Sequence, residues 1–230
     1  MTDAGTTLPQ QPTHADALIE SVDWLIEPYW PGDRLLARLN DGRVSVTDAH
    51  GELVNEKFFE AAALLADAID ADAAVIDGVW TAQPDVGNGA VLRRRAVMIE
   101  AGLFDDAPDP IEVEGRRAFV AIDLVELEGV SLQDVPYQER RRLLESVLRA
   151  RGRVRISPAV RLPFRPWLDA WFNDGFVSYV AKHVNSRYRP GQTAEDWLVL
   201  SVASQNLPSM AGRLFGQRPK KLRRIRRIKD

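Results

Sequence analysis

The densest chemistry in these 230 residues is cationic and lies at the C-terminal end. Arg213, Arg218, Lys220, Lys221, Arg223, Arg224, Arg226, Arg227 and Lys229 face one acid in that segment, Asp230. Leu222, Ile225 and Ile228 recur among them every three residues. The segment reads as a basic arm or short amphipathic helix laid on phosphates or on an acidic protein surface, the plainer alternative being a solvated, frayed end. Other reactive arrangements are weaker. His14, His50 and His183 are the only histidines, and none has the i+3 or i+4 His/Glu company of a metal site. No G-x-S-x-G elbow is present for Ser/His/Asp chemistry. Gly87-Asn88-Gly89 lacks the preceding strand and third glycine of a dinucleotide loop and reads as an ordinary loop. Trp167 and Trp171, four apart, read as core or rim packing, with base stacking as the sharper alternative. Cysteine is absent, which removes disulfides and thiol chemistry and fits a reducing, cytoplasmic setting.

Charge is distributed unevenly. The formal net charge of −3 averages residues 1–130, with 9 Lys/Arg against 25 Asp/Glu, and residues 131–230, with 21 against 8. A balance of −16 followed by +13 favours a polyanion as partner, although the acidic half could also receive the basic tail. A composition 45% hydrophobic and 27% charged excludes a fibrous or wholly disordered chain. No apolar run approaches the roughly 20 residues of a membrane span, and no membrane partner is expected.

The elements that must carry these residues emerge from periodicity. Residues 1–16, rich in Thr, Pro, Gln and Ala, read as a disordered leader, 17–204 as one domain and 205–230 as the basic tail. Leu35–Leu39 and Val44–Thr47 flank Asn40-Asp41-Gly42, a hairpin signal. Phe58, Phe59, Ala62, Leu65, Ala66 and Ile69 form a helical stripe. Ala73–Trp80 reads as a buried strand with a turn or bulge at Gly78, and Ala90–Leu92 as a shorter apolar piece. Residues 104–112 form an acidic loop, and Ala118–Leu124 is apolar enough for a central strand. Pro136–Ala150 reads as a basic amphipathic helix with Leu143, Leu144, Val147 and Leu148 inward. Val154–Ile156, Phe176–Val184 and Trp197–Val202 read as strands, Pro166–Phe172 as a helix, and Tyr188–Gly191 as a turn. Short strands interleaved with helices predict an α+β fold.

Several of these segments, in order, resemble the motifs of the adenylation (nucleotidyltransferase) domain of ATP-dependent DNA ligases, particularly the bacterial kind. Ile26-Glu27-Pro28-Tyr29-Trp30-Pro31-Gly32-Asp33-Arg34 resembles motif I, E-P-K-Y-D-G-Y-R, and Val75–Val79 resembles the L-D-G-E strand. Phe119–Leu124 through Gly129 resembles motif III, and Val135–Arg141 the helix after it. Gly175–Lys182 resembles motif IV, G-x-E-G-V-V-A-K. Ser186–Gly191 with Asp196–Leu200 resembles S-P-Y-R-P-G and motif V, D-W-L-K-V. The resemblance covers residues 24–200 and implies antiparallel sheets flanked by helices. Thirty residues come after Leu200, far too few for the oligonucleotide-binding barrel at that place in nick-sealing ligases, so no such C-terminal domain is expected.

The resemblance also marks departures. Tyr29 stands where the family's lysine attacks the α-phosphate of ATP; a phenol, with a reference pKa near ~10, needs a base or metal to do so. Pro31 replaces an Asp, Val79 and Val177 replace carboxylates, Val199 replaces a lysine, Ile122 the adenine-stacking aromatic, and Ala49 an arginine. What remains as a vestigial nucleotide site is Glu27, Tyr29, Gly32, Arg34, Asp123 and Lys182, with Asp77 nearby. A structural role for each is the alternative: a turn at Gly32, capping or backbone hydrogen bonding at Asp77 and Asp123, and Arg34 paired with one of those two. The expectation is a catalytically inactive ligase-like protein that binds DNA or a DNA-repair protein through its basic half. It has no catalytic residue, no metal and no cofactor, with ATP and Mg²⁺ entering only where residual nucleotide binding survives. Two further readings stand beside it. One is a nucleotide-binding enzyme of altered chemistry; the other is an interaction module whose apolar former cleft, near Val79, Val177 and Val199, receives a partner.

Overall fold

Asp41 and Gly42, at φ 47° and 74°, make the tight turn that the Asn-Asp-Gly signal predicts. They fold strand β3 (Asp33–Asn40) back on β4 (Arg43–Thr47). The structure, a computed structural model, describes residues 7–17, 19–83 and 117–201. The remaining described elements are β1 (Gln11–His14), β2 (Trp24–Pro28), α1 (Phe59–Ala68), β5 (Ala73–Thr81), β6 (Ala118–Leu127), β7 (Val130–Ser131), α2 (Tyr137–Val147), β8 (Val154–Ile156), α3 (Arg165–Asn173), β9 (Ser178–His183) and β10 (Thr193–Ser201). Residues Ala90–Leu92, Gly87–Gly89, the acidic loop 104–112 and the whole basic tail with its nine cations lie outside the described residues.

The strands form two sheets. One runs β4-β3-β5-β6-β7 with β8 parallel to β6, and the other runs β1-β10-β9-β2. The first eight residues of β6 are all buried because both faces of its sheet are covered. On one face Leu35, Leu39, Ile76 and Phe119 pack with Leu65 of α1 and Leu144 of α2. On the other, Val79, Val120 and Ile122 meet Ile26, Tyr179 and Ala181 of the second sheet and Leu168 and Trp171 of α3. Gly78 marks the expected bulge, where the β5–β6 register slips between Asp77 and Gly78. A Cβ there would lie 2.3 Å from the Phe119 ring and 2.7 Å from the Val120 carbonyl oxygen, so the ring occupies the space a side chain would need. The edge strand β4 is covered rather than free. Asn55 accepts from the Val46 N–H at 2.6 Å and donates to the Val44 carbonyl at 3.1 Å, occupying groups that a foreign strand would use.

One expectation needs correction. Residues 1–16 are not a disordered leader throughout: Gln11–His14 form β1, parallel to β10, and Gln10 is wholly buried. Its backbone N–H donates to the Tyr188 hydroxyl at 3.2 Å, and its side-chain oxygen accepts from the Arg189 N–H at 2.6 Å. Main-chain hydrogen bonds hold this segment, and periodicity does not report those. The expected basic amphipathic helix is present as α2, shorter at both ends than Pro136–Ala150, with Leu144 and Leu148 buried and its arginines engaged. Arg140 is buried, Arg141 pairs with Glu145 and Arg142 with Glu139. Among the described residues no helix is long and apolar enough to cross a membrane.

Candidate functional site

The inner faces of the two sheets meet at a cleft. Its shape is set by the chain crossing from β2 to β3 through Tyr29-Trp30-Pro31-Gly32. Trp30 anchors that crossing: its indole N–H donates to Ser157 Oγ at 3.0 Å, and its ring meets Phe176 edge-on at 4.9 Å. Gly32, at φ 148°, passes so close to β5 that a Cβ would fall 2.3 Å from the Trp80 carbonyl oxygen, so only glycine fits. The cleft encloses about 60 Å³ and is lined by Pro12, Glu27, Pro28, Tyr29, Trp30, Gly32, Arg34, Val79, Ile122, Val180, Lys182 and Trp197. Five of the six expected site residues are thus brought together. The sixth, Asp123, stands behind the wall.

Each surviving charge already has a partner. Arg34 forms a two-pronged pair with Asp77, Nε to Oδ1 at 2.5 Å and Nη2 to Oδ2 at 2.7 Å. Tyr188 donates its hydroxyl to Asp77 Oδ2 at 2.7 Å. Burial pulls the Arg34 pKa down, but Asp77 outweighs it and the guanidinium is raised overall. Lys182, fully buried, sits 3.0 Å from Glu27 Oε1 and donates to the Ile122 carbonyl at 2.8 Å. Its ammonium also lies 4.6 Å from the Tyr137 ring centre and 4.3 Å from that of Trp197. Burial draws the Lys182 pKa below the usual lysine value against the attraction of Glu27. Tyr137 donates its hydroxyl to the same Glu27 oxygen, and burial with that carboxylate pushes its pKa well up. Asp123 takes both prongs of Arg140 at 2.8 and 2.7 Å, and Arg140 spends its third nitrogen on the carbonyls of Val135 and Ser186. Arg34 is thus paired with Asp77, as the structural alternative has it, whereas Asp77 is held by side chains rather than backbone, and Asp123 accepts one backbone N–H, from Leu124, beside its pair with Arg140.

Tyr29 is the exception. Its ring is 44% exposed at the cleft mouth, and its hydroxyl has no hydrogen-bond partner among the described residues. Its backbone is fixed, the N–H donating to the Ser178 carbonyl at 3.0 Å. The three valines do not share one apolar wall. Val79 lines the cleft beside Arg34, its cross-strand neighbour. Val177 is 70% exposed just before β9, and Val199 is buried opposite Val180 on β10. Ala49 lies in a turn where Asp48 Oδ1 accepts the N–H groups of His50 and Glu52, which hold the Asp48 carboxyl below its usual pKa. Trp171 is buried in the core and Trp167 stands half-exposed at the rim.

Sequence reasoning missed Gln10, Tyr137, Arg140 and Tyr188. For Tyr137 and Arg140 a signal existed, because residues three apart at a helix start share a face. Tyr188 reads as a turn residue, and nothing local shows its hydroxyl reaching Asp77 across 111 positions.

The fold has counterparts in known proteins. The sequence profile described as ATP dependent DNA ligase domain matches residues 10–200. The multifunctional non-homologous end joining protein LigD of Mycobacterium bovis and the DNA repair protein LigD of Mycobacterium tuberculosis are each 27% identical over 191 residues. That stretch is 83% of this chain but 23% of theirs, so the chain spans about a quarter of those relatives. Among solved structures, mycobacterial DNA ligase D complexed with ATP aligns at TM-score 0.63 and 24% identity, covering 85% of this chain and 60% of that one. The ligase domain of M. tuberculosis LigD aligns at 0.60 and 23%, covering 84% and 58%, and a Lig E DNA ligase at 0.53 and 15%, covering 84% and 68%. Those identities carry the fold alone; the profile match, spanning more than four-fifths of the sequence, shows the family, and the chain belongs to the ATP-dependent DNA ligase domain family.

Proposed function

We propose that this chain is a non-catalytic member of its family that forms no covalent adenylate and acts on DNA, in repair or recombination, through its basic C-terminal half. One observation carries the reading: the two cations left in the cleft, Arg34 and Lys182, are already paired with Asp77 and Glu27 beneath an exposed Tyr29. Nucleotidyl transfer needs a nucleophile together with unspent cationic or metal charge for a polyphosphate. Here no base hydrogen-bonds the Tyr29 hydroxyl among the described residues, Glu27 of the same cleft being paired with Lys182; Val79 supplies no metal ligand, and the cleft holds about 60 Å³ where ligand pockets hold roughly 300–1,000 Å³. ATP and Mg²⁺ therefore fit these residues poorly. The LigD proteins of the mycobacteria are named for end joining and repair, which favours DNA over other polyanions.

The DNA half of the proposal has a salt signature. Binding to a duplex oligonucleotide should weaken by a log–log slope of about −0.9 per phosphate neutralised, and truncation after Gly212 should flatten that slope. Equal slopes with and without the tail would remove the tail from the account. A second reading is favoured by one detail: Arg34 Nη1 has no hydrogen-bond partner among the described residues and borders the cleft. Residual nucleotide binding there predicts a thermal shift with ATP that Arg34→Ala abolishes. A chain whose melting is indifferent to ATP speaks against it.

A further inference from the structure

Strand β1 closes one side of the cleft. Pro12, its second residue, lines the same cavity as Glu27, Arg34 and Lys182. Just before the strand, the Gln10 N–H donates to the Tyr188 hydroxyl, which donates in turn to Asp77, the partner of Arg34. Its attachment is of a kind that opens locally. β1 is an edge strand of its sheet, and none of its four residues is buried. Its pairing with β10 is broken in two: Gln11 and Pro12 face Thr193 and Ala194, whereas Thr13 and His14 face Leu198 and Val199. The stretch skipped between them includes Trp197, whose ring covers the Lys182 ammonium at 4.3 Å. Polar contacts hold the segment. The Gln11 N–H donates to the Gln192 carbonyl at 2.9 Å, the Thr13 hydroxyl to that of Ala194 at 3.0 Å and the Ala15 N–H to that of Val199 at 3.1 Å. Gln10 adds a cost, because its side-chain nitrogen is buried without a hydrogen-bond partner. Segments with few buried apolar contacts open at free energies below that of global unfolding.

We propose that β1 is a releasable strap that holds the cleft shut. When it lifts, Pro12 leaves the cavity, β10 loses its outer neighbour and the Lys182–Glu27 pair meets solvent, while β10, β9 and β2 stay paired with one another. A ligand of the cleft binds only the lifted form, so its apparent affinity is reduced by the fraction of molecules lifted. This rests on the reading above of a cleft kept from polyphosphates, and names the element that keeps it small.

The test exploits the absence of cysteine, which lets one disulfide be placed without competitors. Gln11 and Thr193 pair across the two strands and both are exposed, so Gln11→Cys with Thr193→Cys locks the strap when oxidised. The full-length chain is treated with an amine-acylating reagent, and modified lysines are read by mass spectrometry with the exposed Lys57 as reference. Lys182 should react about 30-fold or more slowly in the oxidised form than in the reduced form of the same variant. In the reduced form its rate should barely change in urea that leaves the fold intact, the mark of an opening that exposes little surface. Ala15→Pro, which removes the N–H given to Val199, should speed the reaction by about 2- to 12-fold, the value of one hydrogen bond. Equal Lys182 rates in the oxidised and reduced forms would overturn the strap, as would rates that climb with urea in step with global unfolding. An unchanged rate in Ala15→Pro would overturn it too. None of these outcomes touches the non-catalytic reading, which a denaturation-stable adenylate on the parent chain would bring down instead.

Discussion

At the scale of single residues, the charges expected to remain from a nucleotide site are tied into ion pairs. Arg34–Asp77, Lys182–Glu27 and Arg140–Asp123 each join an anion to a cation at 3.0 Å or less. Two of the three are almost wholly buried, so their worth lies in not being broken. Asp123→Ala should cost about 3–5 kcal/mol in urea unfolding, because it leaves the Arg140 guanidinium buried without its counter-charge. A loss below about 1 kcal/mol would show that Arg140 finds water or another partner. The tyrosines give a pH signature. Burial, with Glu27 beside Tyr137 and Asp77 beside Tyr188, pushes both phenols well up, and burial pushes Tyr179 up to about 12. Unfolded tyrosines ionise near ~10, so the contribution of these three is intact below that pH and is lost as pH rises toward their folded values. Lys182, shifted down, acts in the opposite sense, but only below the ordinary lysine value. The urea midpoint should therefore fall between about pH 10 and 12, and fall less in Tyr188→Phe. A flat midpoint across that interval would mean these hydroxyls meet water.

At the scale of elements, local pattern is informative wherever local chemistry decides the outcome. The β3–β4 turn, the bulge at Gly78, the central β6 and the helices α1 and α3 are legible because turn dihedrals and apolar spacing act over a few residues. The strand β1 is not. Gln-Pro-Thr-His has no apolar alternation, and its place comes from main-chain bonds to Gln192 and Val199 and from the buried Gln10. Removal of residues 1–14 should lower Tm by about 5–10 °C, given a loss of a few kcal/mol at roughly 2–4 °C per kcal/mol for a chain of this size. A truncated chain melting like the parent would restore the reading of that segment as a leader. The site is legible in membership and not in state. Order and spacing bring Glu27, Tyr29, Gly32, Arg34 and Lys182 to one cleft, but which charges pair depends on contacts such as Tyr188 with Asp77, made across more than a hundred positions.

At the scale of the whole molecule, the split of −16 and +13 acquires a direction. Among the described residues the cleft keeps its cations paired, while the densest positive charge in the sequence lies beyond Gly212. On the proposed reading, such a chain meets DNA through its basic C-terminal half and keeps little unpaired charge in the cleft for a triphosphate. The most direct test is incubation of the purified chain with α-labelled ATP and Mg²⁺, followed by denaturing electrophoresis. The account predicts no labelled band, in the parent or in Tyr29→Lys, because a restored amine would still face Val79 and two cations already paired. A band that survives denaturation in the parent chain would contradict it.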